Sequence, residues 1–418
     1  MIHKARLSNG VRIITKEIPH IQSVSMGVWV NAGARDEAPD ENGLSHFIEH
    51  MIFKGTAKRS AYQIAKEFDA VGGHTNAFTS METTCYHAKV MRDHLVTMVD
   101  ILSDIFLNSV FDPVEIHREQ PVIFQEIGML EDTPEEFIHV LSGNTFWGES
   151  PLGRSILGTR ENLLRFDSHV VQTFFQKLYQ PDRILICTAG NTEHDRILEL
   201  MGPAFEAISP GDDLPDRATP VGNAQVRPFR KKMEQVHLCI GTPGLSLTDP
   251  KRFAFSLLNT LLGGNMSSRL FQKIRERRGL AYSVYSFISA YDDAGMFGAY
   301  AACDAKKIKE VVALILEEMH RIKTHPVEGM ELKNAKEFLK GGLYLSSESV
   351  DNQMVRLAQN EILFNRAIPL GEIIQGIESV TADEIRDLAA ELFHSDRLAV
   401  TLLGPISTRM NLKGLLSL

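Results

Sequence analysis

Two histidines and a glutamate lie within one short stretch of the sequence, "LSHFIEHMIFKGT" at residues 44–56. His46 and His50 stand at i and i+4, so a helix places both imidazoles on one face, where they can share a metal ion. Glu49 lies beside them and is suited to take a proton from a water molecule at that ion. The spacing predicts a hydrolytic metal centre, although two histidines on a helix are also common on a solvated surface.

A third ligand is needed, because catalytic zinc sites commonly combine two histidines with a carboxylate and leave one position for water. The segment "VEIHREQPVIFQEIGML" carries Glu119 and Glu126, which fall on one face if a single helix continues through it. Pro121 lies between them and lacks a backbone N–H. It therefore predicts either a kink or the start of a new helix at that point.

The helix that must position the histidines is expected over residues 44–54. Either Asn42 or Ser45 can cap its start, and Gly55 can end it. Its buried stripe is apolar and consists of Leu44, Phe47, Ile48 and Met51. Alternating apolar residues predict strands in "VRIITKEI", "SVSMGVWVNAG" and "HTNAFTSMETTCYHAKV".

The chain contains one pattern twice. "PDRILICTAG" matches "SDRLAVTLLG", and upstream "FWGESPLGRSILGTRENL" parallels "LFNRAIPLGEIIQGIESV". We therefore predict two homologous domains, residues 1–210 and 226–418, joined by a linker rich in Pro, Gly and Asp at 211–225. Runs of strands with helices between them predict the α+β class, each domain being a largely antiparallel sheet covered by helices.

The second copy lacks the polar residues of the first motif. In its counterpart, "AFSLLNTLLGG", the positions of His46, Glu49 and His50 are taken by apolar residues, namely Ala254, Leu257 and Leu258. The fold therefore does not require the two histidines and the glutamate, which indicates that the first domain keeps them for chemistry.

Composition excludes several classes of function. The 418 residues carry a net charge of −9 without a Lys/Arg block, so no nucleic-acid partner is expected. No apolar run reaches membrane-spanning length, and the N-terminus lacks the apolar core of a secretory signal, which predicts a bacterial cytoplasmic protein without a membrane partner. The cysteines are widely spaced and are expected to be reduced and buried: Cys85, Cys187, Cys239 and Cys303.

Further motifs extend the pattern along the whole chain: "GGHTNAFTSMETTCYHAKV", "VIFQEI", "PLGRSILGT" and "GGNMSSRLFQKIRERRGLAYSVYS". With "GLSHFIEHMIFKGT" they resemble the pitrilysin family of zinc metalloendopeptidases, in particular the processing-peptidase branch that includes the mitochondrial processing peptidase β subunit. The order H-x-x-E-H is the inverzincin signature. The resemblance implies one Zn²⁺ per chain held by His46, His50 and Glu126, with Glu49 as catalytic base and Glu119 supporting the site behind the ligands.

The resemblance also implies how a substrate is held. "NAFTS" corresponds to an edge strand that pairs with an extended peptide, so Asn76 and Ala77 are predicted contacts. Arg275 and Tyr282 match residues that contact the substrate and stabilise the oxyanion. From the residues alone, the preferred interpretation is that Arg275 lies on a solvated basic face and Tyr282 in a core strand; the resemblance reverses that preference.

The implied activity is hydrolysis of unfolded peptides or presequences, bound in extended form inside an enclosed chamber. Because one chain carries both the zinc residues and the Arg/Tyr pair, we predict a homodimer with shared active sites. Two alternatives stay open: a non-catalytic core subunit of the same fold, against which the complete zinc set argues, and a scaffold that retains zinc without turnover. Cobalt or manganese could occupy the same ligands in vitro.

Overall fold

The computed structural model describes residues 1–211, 216–407 and 416, so residues 212–215 of the predicted linker lie outside the described residues. The strands, in chain order, are β1 (Ile2–Arg6), β2 (Arg12–Glu17), β3 (Ser23–Val30), β4 (His74–Thr79), β5 (Thr84–Met91), β6 (Ile184–Gly190), β7 (Val226–Arg230), β8 (Val236–Pro243), β9 (Ala281–Ala290), β10 (Gly295–Cys303) and β11 (Ala399–Gly404).

The helices lie between groups of these strands. In chain order they are α1 (Leu44–Met51), α2 (Ala61–Ala70), α3 (Leu95–Asn108), α4 (Pro113–Asp132), α5 (Pro134–Trp147), α6 (Arg160–Leu163), α7 (Ser168–Leu178), α8 (His194–Glu206), α9 (Arg252–Leu262), α10 (Ile308–Thr324), α11 (Gly329–Ser346), α12 (Val350–Phe364), α13 (Leu370–Ser379) and α14 (Ala382–Leu392). A π-helical segment, Phe271–Glu276, precedes β9.

The two sheets repeat one topology. The first has the order β1-β2-β6-β3-β5-β4, and the second has the order β7-β11-β8-β10-β9. Among the described strands, each sheet has one parallel pair, β2 with β6 in the first sheet and β7 with β11 in the second. All other pairs of described strands are antiparallel. The predicted fold class, two α+β domains with largely antiparallel sheets, is confirmed.

The chain forms two compact units that exchange segments. The first consists of Met1–Gly128, Arg154–Arg217 and Leu345–Ile368, and the second of Met129–Gly153, Ala218–Tyr344 and Pro369–Leu418. Thus α12 belongs to the first unit, although it comes late in the chain, and α5 belongs to the second. The predicted domains, 1–210 and 226–418, are consecutive in the chain, whereas each compact unit combines several segments. The predicted division stays a prediction.

The exchanged helices cover sheet faces that would otherwise expose apolar residues. In the first unit, α12 places Met354 and Leu357 against Trp29 and Cys187 of the sheet, and the Trp29 Nε1–H points to Met354 Sδ at 3.3 Å. In the second unit, Ile138 of α5 packs on the sheet residues Cys239, Tyr300 and Leu403. Both faces of the inner strands are therefore covered, which explains why β6 is buried at every position.

Two further expectations concern the whole chain. All four cysteines are buried and unpaired, as predicted. Among the described residues, no helix combines the length and the apolarity needed to cross a membrane.

Candidate metal centre

Helix α1, which carries both histidines, packs its predicted stripe into the core of the first unit. Leu44, Phe47, Ile48 and Met51 are fully buried. The prediction of its end was wrong, because the helix stops at Met51. The N–H of Phe53 donates to the carbonyl of His50, and the N–H of Lys54 donates to the carbonyl of Met51. These shorter-range bonds tighten the chain into a turn after the helix. Gly55 lies beyond this turn at φ +137°.

The predicted cap of α1 was also wrong. Neither Asn42 nor Ser45 is the N-cap residue; Gly43, just before Leu44, occupies that position at φ +106°, and it has no side chain with which to accept a hydrogen bond. The positive φ at this position is a backbone conformation that glycine adopts readily. A residue whose side chain could accept a hydrogen bond would be strained there.

Helix α4 runs without interruption through Pro121, so no new helix starts there. Proline removes one N–H donor, and the buried residues around it, among them Glu119 and Ile123, hold the helix in place. As a result Glu119 and Glu126 lie two turns apart on the same helix, and both reach the histidines of α1.

Three donor atoms converge at the surface of α1 and α4. Glu126 Oε2 lies 3.5 Å from His46 Nε2 and 3.6 Å from His50 Nε2. The imidazole centroids are 4.6 Å apart. Among the residues that the structure describes, this is the one group of three or more potential ligands whose donor atoms all lie within 4.8 Å of one another.

The protonation states suit metal binding. Burial, assisted by the neighbouring His50, lowers the pKa of His46 to about 4, so His46 is neutral and can donate a lone pair at neutral pH. His50 Nδ1 lies 2.8 Å from Glu119 Oε1. Because a carboxylate only accepts, this contact places the proton on Nδ1 and leaves Nε2 free to face Glu126.

Glu119 itself is almost fully buried and is held ionised. Burial acts to raise its pKa, but the hydrogen bonds from His50 and Lys54 outweigh burial and lower the pKa. Lys54 Nζ lies 2.5 Å from Glu119 Oε2. Glu119 therefore orients a histidine and is itself fixed by a lysine.

Glu49 lies beside the three donors without being one of them. Its Oε2 is buried and has no hydrogen-bond partner among the described residues. Burial raises the pKa of Glu49, while Thr79 at the end of β4 and the charge of His50 oppose the rise. A partly desolvated carboxylate with a raised pKa is a stronger base than an exposed one.

The donor set fits one small divalent cation. Two imidazole nitrogens and one carboxylate oxygen form the ligand set that catalytic zinc uses, with a remaining position for water. Glu126 brings the negative charge, and its side chain is 42% exposed, so the site opens to solvent on that side. His46, His50 and Glu126 would hold the ion, and Glu49 would face it.

The predicted substrate strand lies next to this centre. β4 is one of the two edge strands of the first sheet, and among the described strands it pairs only with β5. Asn76 is exposed, with its Oδ1 accepting from the N–H of Ala77 at 2.9 Å, and Ala77 is half-buried. The Thr79 hydroxyl donates to the carbonyl of Ser45 on α1, at 3.4 Å, so the metal-binding helix lies against this strand.

Arg275 and Tyr282 belong to the second unit, where they contact each other. Arg275 lies on the π-helical segment and Tyr282 near the start of β9, one of the two edge strands of the second sheet. The guanidinium carbon lies 4.6 Å from the ring centroid of Phe271 and 4.5 Å from that of Tyr282. Tyr282 is 77% exposed, so the core-strand alternative does not describe its side chain.

Comparison with known proteins identifies the family. A model described as insulinase (peptidase family M16) matches residues 12–160, and one described as the peptidase M16 inactive domain matches residues 165–339. The chain is 40% identical over 407 residues to the uncharacterized zinc protease YmxG of Bacillus subtilis, covering 97% of this chain and 98% of the relative. The chain belongs to peptidase family M16. The resemblance inferred from the motifs is thereby confirmed.

A further relative and two solved structures agree with this assignment. An uncharacterized zinc protease of Streptomyces coelicolor is 35% identical over 416 residues, covering 98% of this chain and 90% of the relative. A solved protease from Helicobacter pylori superimposes with a TM-score of 0.88 at 20% identity, over 97% of this chain and 99% of that chain. The peptidase M16 inactive domain from Pseudomonas fluorescens gives a TM-score of 0.89 at 17% identity, over 98% and 100%. At these identities the two structures establish the M16 fold alone.

The three converging donors of this M16 chain all lie on helices of the first compact unit. In α9, the counterpart of α1, Ala254, Leu257 and Leu258 are buried in the core of the second unit. The same fold position thus packs apolar side chains in one copy and holds the buried His46 and the half-buried Glu49 and His50 in the other.

Three residues at these sites were not predicted from the sequence. Lys54 fixes Glu119, Thr79 contacts Glu49, and Phe271 stacks on Arg275. Phe271 and Arg275 stand at i and i+4, a spacing that could have indicated their contact. The contacts of Thr79 and Lys54 depend on tertiary packing and left no signal in the spacing.

Proposed function

We propose that this chain is a zinc metalloendopeptidase that hydrolyses unfolded peptides or presequences. The observation that carries the proposal is the convergence of His46, His50 and Glu126 next to the half-buried carboxylate of Glu49. The names of its relatives, zinc proteases of bacteria, support zinc as the ion and a bacterial cell as the setting. One ion per chain and a cytoplasmic location are parts of the proposal.

Each residue has a defined role in this proposal. When bound, zinc supplies a Lewis acid that makes a water molecule acidic enough to attack near neutral pH. Glu49 accepts the proton of the attacking water and can pass it to the leaving amine. Glu119 keeps His50 in the tautomer whose Nε2 is available as a ligand.

The edge strand β4 is the proposed docking site for the peptide. An extended peptide that adds to β4 gains main-chain hydrogen bonds without any requirement for its sequence, which suits unfolded substrates. Asn76 and Ala77 are the proposed contacts. The neighbouring Thr79 touches Glu49, so a peptide paired along β4 would pass beside the base.

A cleavage assay with a chelator tests this function. We expect the purified protein to cleave an unstructured, internally quenched peptide, to lose that activity with o-phenanthroline, and to regain it when zinc is added. The meta isomer of phenanthroline, which does not chelate, is the matched control. Cleavage that survives the chelator would contradict metal catalysis, and zinc binding without cleavage of any unfolded peptide would favour the scaffold alternative.

We further propose that the active form is a homodimer that encloses a chamber. The chain carries the metal residues in its first domain and Arg275 with Tyr282 in its second. In the proposed dimer, which would have closed two-fold symmetry, the Arg275 and Tyr282 of one subunit serve the metal centre of the other. Exposure of the Tyr282 ring and the stacking of Arg275 against it support a role in contacting a ligand.

Mixing two inactive variants tests the shared site. Glu49→Gln and the double variant Arg275→Ala/Tyr282→Phe should each be inactive alone. After subunit exchange the mixture should regain part of the wild-type rate, because one of the two sites in each heterodimer contains only wild-type residues. If light scattering or mass spectrometry detects heterodimers and no activity returns, sites are not shared between subunits.

A further inference from the structure

The start of helix α1 is held by a carboxylate from the preceding loop. The first N–H groups of a helix have no partner within it and need an acceptor elsewhere. Here the acceptor is Glu37: its Oε2 accepts the N–H of Gly43 at 2.8 Å, and its Oε1 accepts the N–H of Ser45 at 2.7 Å. The side-chain amide of Asn42 donates to the same Oε2 at 3.0 Å. Glu37 thus performs the capping that Gly43 cannot.

This carboxylate is sealed from solvent. Glu37 is 3% exposed. Burial raises the pKa of its carboxyl to about 7, and the hydrogen bonds that it accepts act in the opposite direction. Burying an acidic group is costly unless it is fully hydrogen-bonded, so this position is tolerated because three donors meet it. A negative charge also favours the N-terminal end of a helix.

The loop that carries Glu37 is fixed in turn by the segment after α5. Arg154 Nη1 donates to the carbonyl of Glu37 at 2.8 Å, and Asn42 Nδ2 donates to the carbonyl of Ser155 at 3.0 Å. A Cβ on Gly158 would lie 2.4 Å from the carbonyl oxygen of Asn42, so the two backbones meet without room for a side chain. The start of α1 therefore has little freedom to shift.

We infer that Glu37 is a positioning residue for the metal centre. Its Oε1 holds the N–H of Ser45, and the next residue is the ligand His46. Glu37 fixes the first turn of α1, so it sets where His46 stands relative to His50 and Glu126. The Glu37 carboxylate bonds the start of α1 and is not one of the three converging donors, so it would act on the site through the helix. That the ion is zinc is part of the proposed function, so the inference rests on that proposal.

Glu37→Gln tests this role with little change in shape. The amide offers one acceptor, and its NH₂ group would face a backbone N–H, so one of the two helix amides loses its partner. We expect about 10-fold weaker zinc binding by the metal-free protein in competition with a zinc-binding dye, the lower end of what losing a group that orients ligands costs. Metal affinity is measured without peptide and at a temperature where circular dichroism finds the variant folded.

Glu361→Gln is the matched control. Glu361 is also a buried carboxylate of the first unit, 1% exposed, but it pairs with Lys4 and Arg12 and not with the amides of α1. We expect it to lower the melting temperature and leave zinc affinity unchanged. If Glu37→Gln does not fold, Glu37→Asp replaces it as the test variant. Aspartate keeps the negative charge but is too short to reach the N–H groups of both Gly43 and Ser45. We expect it to weaken zinc binding as well.

The outcomes separate this inference from the proposed function. A folded Glu37 variant that binds zinc as tightly as the wild type would overturn the positioning role and leave the proposed function intact. Equal loss of zinc affinity in Glu361→Gln would mean that any buried carboxylate of the unit has the same effect, which also overturns it. A wild-type protein that binds no zinc would overturn the proposed function, and the positioning role with it.

Discussion

Glu49→Gln is expected to keep its metal and to lose peptide hydrolysis by about 10²- to 10⁴-fold in rate, the range for removal of a general acid–base group. A carboxamide cannot accept the proton of an attacking water. Glu49 is not among the three converging donors, and its buried Oε2 bonds no described group, so the substitution does not remove a ligand. Glutamine has nearly the same shape, so packing around α1 is preserved.

The measurement compares initial cleavage rates at equal metal content, determined by elemental mass spectrometry. Glu115→Gln serves as the matched control, because Glu115 lies on α4 with Glu126 but pairs with Arg118, away from the donors. It should cleave at the wild-type rate. A metal-loaded Glu49→Gln protein with undiminished activity would show that another residue is the base.

The fold could be predicted from the sequence because the same pattern of elements occurs in both halves of the chain. Matching segments such as "PDRILICTAG" and "SDRLAVTLLG" became β6 and β11, which hold equivalent central places in the two sheets. The exchange of α5 and α12 between the units could not be predicted. Each helix presents an apolar face, and periodicity does not say which of two similar sheets that face will cover.

At the metal centre, too, some features could be predicted from the sequence and others could not. The distance between His46 and His50 follows from helix geometry alone, so spacing sufficed. The choice of Glu126 over Glu119 depends on how α4 crosses α1, and it came from the family resemblance. The capping prediction failed because it considered only residues next to the helix, whereas Glu37 reaches back from the preceding loop.

The second large effect concerns the ligands: His50→Ala and Glu126→Ala are each expected to abolish tight zinc binding. Each removes one of only three protein donors, and the remaining pair cannot hold the ion against competing chelators. Glu119→Gln should be milder, weakening zinc binding by about 10- to 100-fold, because it removes the group that orients His50 and leaves all three donors in place.

Zinc titration and thermal unfolding together measure this series. Zinc that binds only the folded state raises the melting temperature of the wild type, so the increase should vanish in His50→Ala and Glu126→Ala and persist, reduced, in Glu119→Gln. A fully metallated Glu126→Ala protein would make Glu119 the next candidate for third ligand. To bind the ion, Glu119 would have to give up its contacts with His50 Nδ1 and Lys54, so Glu119→Gln would then lose zinc as completely as His50→Ala. The ranking of these two glutamate variants therefore decides which one is the ligand and which one orients His50.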